Sequence, residues 1–154
     1  MAAGIATVEG LAAALEPMRA RHGDVVVEQQ LTAQAELLVA VRSGPLGGLV
    51  VIGFGGSLAD ALGRQVVLSP GASREQIATA LGRSPLGVYL DSVGRSHPEA
   101  GNGAGLRRTI ADFVRRLCEV VESNGLDSLE INPVMVTSAG AFACDVKARR
   151  GEAS

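Results

Sequence analysis

Apolar residues recur at helical spacing near the start of the chain, and a helix-capping pattern occurs at positions 73–76. Thr7 can cap a first helix, and Pro17 is expected to kink that helix or to end it early. Ser73 and Gln76 have the spacing of a capping box, in which the serine and the glutamine each bond the other's backbone. This predicts a second helix that continues to about Leu81.

The second half of the chain carries the clearest helical pattern. Its apolar positions are Leu106, Ile110, Phe113, Val114, Leu117, Val120 and Val121, with arginines largely on the outer side. Pro85 predicts a short helix before this one, because proline is tolerated in a first turn. The residues between them, Asp91–Gly105, include four Gly, one Pro and two Ser. That composition predicts a surface loop.

Runs of β-branched and apolar residues predict strands. They cover Val25–Leu31, Glu36–Val41, Leu49–Ile52 and Val66–Leu68. Because Leu49–Ile52 is uniformly apolar, we expect a central strand with both faces covered. Strands followed by helices and then by further strands indicate an α+β or α/β fold, with helices packed on a sheet. We expect one domain over residues 1–154.

A hairpin is predicted near the C-terminus, with its turn between Ser138 and Ala139. This register places Asn132 opposite Asp145 and Glu130 opposite Lys147. Strict alternation then assigns those four residues to one face. The other face would be apolar and would pack onto the helices, and it comprises Leu129, Ile131, Pro133, Met135, Phe142, Cys144 and Val146.

The polar face of this hairpin has two interpretations. Opposed side chains have Cβ atoms about 4.5–5.5 Å apart, so the Asn132 amide oxygen and the Asp145 carboxylate could share one Mg²⁺ ion. Alternatively, Glu130 and Lys147 form an ordinary cross-strand ion pair, and Asn132 and Asp145 are simply solvated. The residue pattern leaves both open.

A glycine-rich turn, Gly53-Phe54-Gly55-Gly56, follows the apolar strand directly. Such a turn lets backbone amides approach a phosphate without hindrance from Cβ atoms, although tight glycine turns also arise for steric reasons alone. It has neither the GxGxxG spacing of a dinucleotide site nor the GK[ST] of a P-loop. Arg149 and Arg150 are expected to form a solvated tail.

Composition narrows the classes of protein further. The 154 residues are 47% apolar and 19% charged, which excludes a wholly disordered chain. A net charge of −2 and an aromatic content of 3% argue against a nucleic-acid partner. No stretch is typical of a membrane span or a secretory signal, so we expect a cytoplasmic protein. Cys118 and Cys144 lack CxxC spacing and are expected to be free thiols, and His22 and His97 to be surface residues.

Several of these segments together resemble one family. Val25–Leu31, Ala35–Val39, Gly53–Gly56 and Leu129–Pro133, with Asp145 thirteen positions after the asparagine of the last segment, are similar to the ATP-grasp domain of NDP-forming acyl-CoA synthetases. The succinyl-CoA synthetase β subunit is a more distant relative. The resemblance implies the second, C-terminal ATP-grasp subdomain, an α+β fold with a mostly antiparallel sheet and packed helices.

The same resemblance implies ligands and site residues. Asn132 and Asp145 would hold Mg²⁺, and Glu130 would support them. The remaining implied nucleotide-binding residues are Val27, Glu28, Gln29, Gln30 and Leu31 at adenine and ribose, Glu36, and Gly53, Gly55 and Gly56 at the phosphates of ATP or ADP.

Family members interconvert an acyl-CoA, ADP and phosphate with the free acid, CoA and ATP, through a phosphohistidine. By this resemblance, we expect the first ATP-grasp subdomain and the CoA-binding and phosphohistidine domains to lie outside this sequence. We therefore expect a homo- or hetero-oligomer with a partner that supplies them, and no acid-thiol ligase activity from this chain alone. The alternative is a degenerate module that is kept for subunit assembly and no longer binds nucleotide.

Overall fold

The computed structural model describes residues 2–56, 63 and 65–151. The chain forms two compact units, Met1–Thr32 and Ala33–Ser154. In the first unit, helix α1 (Val8–His22) begins as predicted at Thr7, whose hydroxyl accepts a hydrogen bond from the Gly10 backbone N–H at 3.0 Å. The helix continues past Pro17 to His22.

The predicted strand Val25–Leu31 is wrong, because this segment has no strand structure. A β-branched run becomes a strand only where a neighbouring strand accepts its backbone hydrogen bonds and other residues cover its side chains. Here the side chains of Val26 and Val27 are 82% and 56% exposed.

The second unit is an α+β fold, as predicted. Its elements are β1 (Ala35–Arg42), β2 (Leu49–Phe54), β3 (Gln65–Leu68), α2 (Arg74–Gly82), α3 (Pro85–Ser96), a 3-10 turn (Pro98–Ala100), α4 (Gly103–Ser123), β4 (Leu126–Thr137), β5 (Gly140–Ala143) and β6 (Val146–Arg150). The strands form an antiparallel sheet in the order β3-β2-β1-β4-β5, and β6 also pairs with β4. The predicted capping box is present at the start of α2.

The helices pack on one face of this sheet, which we call the covered face. In β1 it includes Leu37, Val39 and Val41, and in β2 Val50, Ile52 and Phe54, all of them buried. The helices contribute Ile77, Leu81, Leu86, Leu90, Leu106, Ile110, Val114 and Val121 to the same apolar cluster. The opposite face, which we call the open face, carries the intervening residues of each strand.

The expectation that β2 has both faces covered is wrong for the open face. β2 lies between β1 and β3, inside the sheet as predicted. However, Leu49 on the open face is 38% exposed and Val51 is only half-buried. The helices cover the other face, so this apolar surface remains accessible to solvent.

The predicted loop Asp91–Gly105 is also wrong, since α3 continues to Ser96 and α4 starts at Gly103. Two of its glycines lie where the helices meet closely. A Cβ on Gly94 would be 2.6 Å from the Gly103 backbone nitrogen, and one on Gly103 would collide with Asp91. These glycines permit helix packing.

Candidate functional site

The C-terminal hairpin has the predicted register. Val134 pairs with Ala143 and Glu130 pairs with Lys147. Between these pairs, the Asn132 backbone N–H donates to the Asp145 carbonyl oxygen at 3.0 Å. Asn132 therefore lies opposite Asp145, as the turn position predicted.

The predicted division of the hairpin into two faces is wrong beyond Asn132. The buried residues of β4 are Leu129 and Ile131, then Val134 and Val136, so the alternation shifts by one residue. The register between β1 and β4 shifts at the same place, and the Asn132–Pro133 peptide is cis. A β-bulge of this kind changes which face the following residues occupy.

Several residues predicted to pack onto the helices consequently lie elsewhere. Pro133 and Met135 are only half-buried, and Met135 pairs with both Glu36 of β1 and Phe142 of β5. These three paired residues share the open face. Val146, in contrast, pairs with Ile131 and so keeps its predicted face, but its side chain is 51% exposed.

The open face thus carries rows of paired residues. From one end of the sheet to the other, the first row is Gly55, Glu36, Met135 and Phe142. At the bulge, Gly53 pairs with Leu38, and Asn132 lies opposite Asp145. The next rows are Val51, Ala40, Glu130 and Lys147, and then Leu49, Arg42, Ser128 and Arg149. Oxygen-bearing side chains occur in the first row, at the bulge and in the row after it. Arginine occupies the last row.

The glycine turn is joined directly to this face. The Gly55 N–H donates to the Glu36 carbonyl oxygen at 3.0 Å, and a Cβ on Gly55 would lie 2.6 Å from the Leu37 backbone. Gly56 has φ +59°, and a Cβ there would collide with the Glu36 carboxylate. Steric requirements alone therefore explain why glycine occupies both positions of this turn.

One side-chain contact connects the turn to the hairpin. The Gly56 N–H donates to Oδ1 of Asn132 at 3.1 Å. Since an amide oxygen has two lone pairs, Oδ1 keeps a second acceptor position. The fold thus brings together Glu36, Gly56, Asn132 and Asp145, which are distant in sequence.

The carboxylates at this end of the sheet are accessible. Glu36 and Asp145 are exposed and Glu130 is half-buried. Glu130 and Lys147 are paired in register, yet they are not among the ion pairs found between described residues. Within residues 2–56, 63 and 65–151, no three His, Cys, Asp or Glu side chains are grouped closely enough to hold a metal ion. A metal ion at this site would therefore need the Asn132 amide oxygen as a ligand, in addition to carboxylates.

The structure reveals a residue that the sequence interpretation missed. Tyr89 of α3 packs on Phe54, the residue just before Gly55, with ring centroids 5.4 Å apart. Burial raises the pKa of the Tyr89 phenol, and the nearby backbone of Glu36 partly opposes that shift. Tyr89 is the single tyrosine of the sequence. The sequence around Tyr89 does not indicate this contact, because Phe54 is distant in the chain.

The predicted adenine and ribose segment, Val27–Leu31, lies in the first unit. Its residues are exposed except for Leu31, which is half-buried. The Gln30 side-chain oxygen accepts a hydrogen bond from the Gly4 N–H at 2.6 Å.

The chain matches the ATP-grasp domain family over residues 2–149, and it belongs to that family. A search of curated proteins found no match. The helices of the described residues include none that is long and apolar enough to span a membrane.

Solved structures share the fold. Acetyl-coenzyme A synthetase 1 of Ca. Korarchaeum cryptofilum, in complex with coenzyme A and Mg-AMPPCP, is 16% identical with a TM-score of 0.67, and the match covers 93% of this chain and 64% of that one. Its apo form is 17% identical with a TM-score of 0.67, covering 93% and 67%. PH1788 from Pyrococcus horikoshii Ot3 is 16% identical with a TM-score of 0.57, covering 92% and 61%. The chain spans about three fifths to two thirds of these relatives.

Proposed function

We propose that this chain is the magnesium-nucleotide-binding half of an NDP-forming acyl-CoA synthetase. The nucleotide phosphates would lie on the open face beside the glycine turn, near Gly53, Gly55 and Gly56. Val27–Leu31 would contact adenine and ribose, and Glu36 would complete the nucleotide site.

The observation that carries this proposal is the hydrogen bond between Gly56 and Asn132. It fixes the glycine turn against the side chain proposed to hold the cation. The N–H groups of Gly55 and Gly56 already donate to Glu36 and Asn132, so the turn would place phosphates beside the metal ligands by its shape. Nucleotide phosphates and their metal must lie together in this way.

The donor set suits a hard divalent cation. Asn132 and Asp145 offer an amide oxygen and a carboxylate, and Glu130 lies one row away on the same face. Magnesium prefers oxygen ligands and takes only one or two from the protein when phosphates supply the rest. Bound there, it would neutralise phosphate charge during phosphoryl transfer. In this proposal the glycine turn positions the phosphates. The Gly56 N–H holds the Asn132 side chain in place.

The wider reaction is part of the same proposal. A partner chain or domain would supply the first ATP-grasp subdomain, the phosphohistidine and the CoA site, and the assembly would form ATP from ADP and phosphate at the expense of an acyl-CoA. Support comes from the similar synthetase that was solved with coenzyme A and Mg-AMPPCP. We place the protein in the cytoplasm, where these substrates occur.

Calorimetric titration with ADP, with and without Mg²⁺, tests the nucleotide site. We expect Mg²⁺ to tighten ADP binding, and Asp145→Asn to remove about tenfold or more of that gain, because a charge-assisted contact contributes roughly 1.5–3 kcal/mol. Asn132→Ala should have a larger effect, since it also releases Gly56 from its hydrogen bond.

Asp112→Asn is the matched control. Asp112 lies on α4 and pairs with Arg74 at 2.9 Å, so the change removes the same charge at the surface of a helix. We expect it to leave ADP binding unchanged. If folded protein binds no ADP with or without the partner chain, or if Asp145→Asn and Asp112→Asn behave alike, the chain is a degenerate assembly module instead.

A further inference from the structure

Two arginines from distant parts of the chain lie in one row at the end of the open face. Arg42 of β1 pairs with Ser128 of β4, and Ser128 pairs with Arg149 of β6. Residues paired across strands share a face, so both arginines flank Ser128 on the same side of the sheet. Lys147, two residues before Arg149 on β6, shares that face. Arg149 and Arg150 are exposed, as predicted, but they belong to a paired strand and not to a tail.

These residues line two adjoining concavities on the surface. One, of about 590 Å³, is lined by Arg42, Ser43, Asp127, Ser128 and Arg149 among others. The second, of about 580 Å³, shares three of these residues and continues over Val51 to Lys147. The basic row therefore borders a groove that leads toward the proposed nucleotide site.

The charge of this groove is not balanced by nearby acids. Among the described residues, none of the ion pairs involves Arg42, Lys147 or Arg149. Asp127 lines the first concavity, and Glu130 lines the second opposite Lys147. Two guanidinium groups around one carboxylate leave the Ser128 end of the groove positive.

We propose that Arg42 and Arg149 bind a phosphate or phosphoryl group at a second site, distinct from that of the nucleotide phosphates. The proposal rests on the proposed function, which it extends with a separate anion-binding site on the same face. Ser128 and Asn132 are four residues apart on β4, or about 13 Å at about 3.3 Å per residue. A phosphate held beside Ser128 would therefore lie two rows away from Asn132. Arginine suits the role because its planar fork matches a phosphate with two parallel hydrogen bonds.

NMR titration of the full ¹⁵N-labelled chain with inorganic phosphate, at constant ionic strength, tests this site. We expect the amide signals of residues 42, 128 and 149 to shift together along one saturating curve. Arg42→Gln and Arg149→Gln should each weaken phosphate binding by about tenfold or more, since each removes a charge-assisted contact. Asp127→Asn should strengthen it by removing the nearby negative charge.

Arg150→Gln is the matched control. Arg150 is the next residue on β6, and alternation directs it to the other face, where its guanidinium donates to the Asn124 carbonyl oxygen at 3.5 Å. We expect it to leave phosphate binding unchanged. Equal losses in Arg150→Gln and Arg149→Gln, or shifts spread over the surface without saturation, would overturn the proposal.

Two further arms separate this site from the nucleotide site and identify the source of the phosphate. Asn132→Ala should weaken Mg-ADP binding and leave phosphate binding unchanged. Arg42→Gln should weaken phosphate binding and leave Mg-ADP binding unchanged. Phosphate binding that depends on Arg42 and Arg149 in a chain that binds no Mg-ADP would keep the anion site and reject the nucleotide function. Tighter binding of methyl phosphate than of inorganic phosphate would indicate a phosphate ester, and the opposite order would indicate free phosphate.

Discussion

The covered and open faces of the sheet use consecutive residues of the same strands for different purposes. In β1, Leu37 and Val39 have no exposed surface, whereas Leu38 between them is half-buried and Glu36 is exposed. The backbone conformation and hydrogen bonding are shared by these neighbours. The two faces differ only in what covers them. The helices bury the side chains of one face, and these side chains stabilise the fold.

This difference separates stability from chemistry. The covered face has apolar side chains that were withdrawn from water, and burial of that kind is the main favourable term in folding. The residues proposed to bind the phosphates and the metal, in contrast, lie on the open face or in the turn beside it, where they can meet a ligand. Substitutions on the two faces should therefore affect different measurements.

Leu37→Ala should have the largest effect on stability. Leu37 is fully buried beneath the helices, so its loss leaves a cavity and should lower the free energy of unfolding by about 2–5 kcal/mol. Urea unfolding measures this. Leu38→Ala is the matched control on the open face, and we expect it to cost less than half as much. Equal losses at the two positions would show that the open face is also packed.

Gly55→Ala should come next. A Cβ at this position would lie 2.6 Å from the Leu37 backbone, so β1 or the turn must shift, at a cost of about 1–3 kcal/mol in unfolding free energy. Gly71→Ala is the control, because its nearest neighbour is a serine hydroxyl at an ordinary 3.7 Å. If Gly55→Ala is as stable as the control, the turn is not held against β1.

The sequence predicted the elements that depend on local signals. The capping box at Ser73, the long amphipathic helix and the hairpin register around Ser138 and Ala139 each follow from residues close together in the chain. The α+β class followed from their order. Asn132 opposite Asp145 followed from the turn position alone.

The errors arose where a residue's role depends on distant partners. The bulge at Asn132 reverses the faces of β4, and strict alternation cannot anticipate it. Gly94 and Gly103 permit helix contact, but composition cannot distinguish such glycines from turn glycines. Arg42 and Arg149 share a row only because β1 and β6 both pair with β4.

Ser73→Ala tests the capping box of α2, and we expect it to lower the free energy of unfolding by less than Gly55→Ala does. The Ser73 hydroxyl accepts from the Gln76 N–H at 3.2 Å, and the Gln76 side chain accepts from the Ser73 N–H at 2.7 Å. Losing the cap should cost about 0.5–2 kcal/mol of unfolding free energy. Ser96→Ala, at the exposed end of α3, should change it little. A cost at Ser96 that matches the cost at Ser73 would contradict a capping role.

The smallest expected effect is a loss of stability in strongly alkaline solution. Burial raises the pKa of Tyr89, which packs on Phe54 of the covered face. The unfolded chain therefore releases this proton first, at a pKa of about 10. The stabilisation by the neutral phenol is complete below that pH and is lost as the pH rises through the folded-state pKa.

Absorbance at 295 nm follows this single phenol directly, and urea unfolding between about pH 9 and 11 follows its effect on stability. Burial also raises the pKa of the Cys118 thiol, so its contribution declines in the same direction from a lower pH, above about 8.5. Tyr89→Phe should remove only the part of the decline above about pH 10. If the phenol titrates at or below its ordinary pKa, Tyr89 is solvated. The helices would then not cover Phe54, next to the glycine turn.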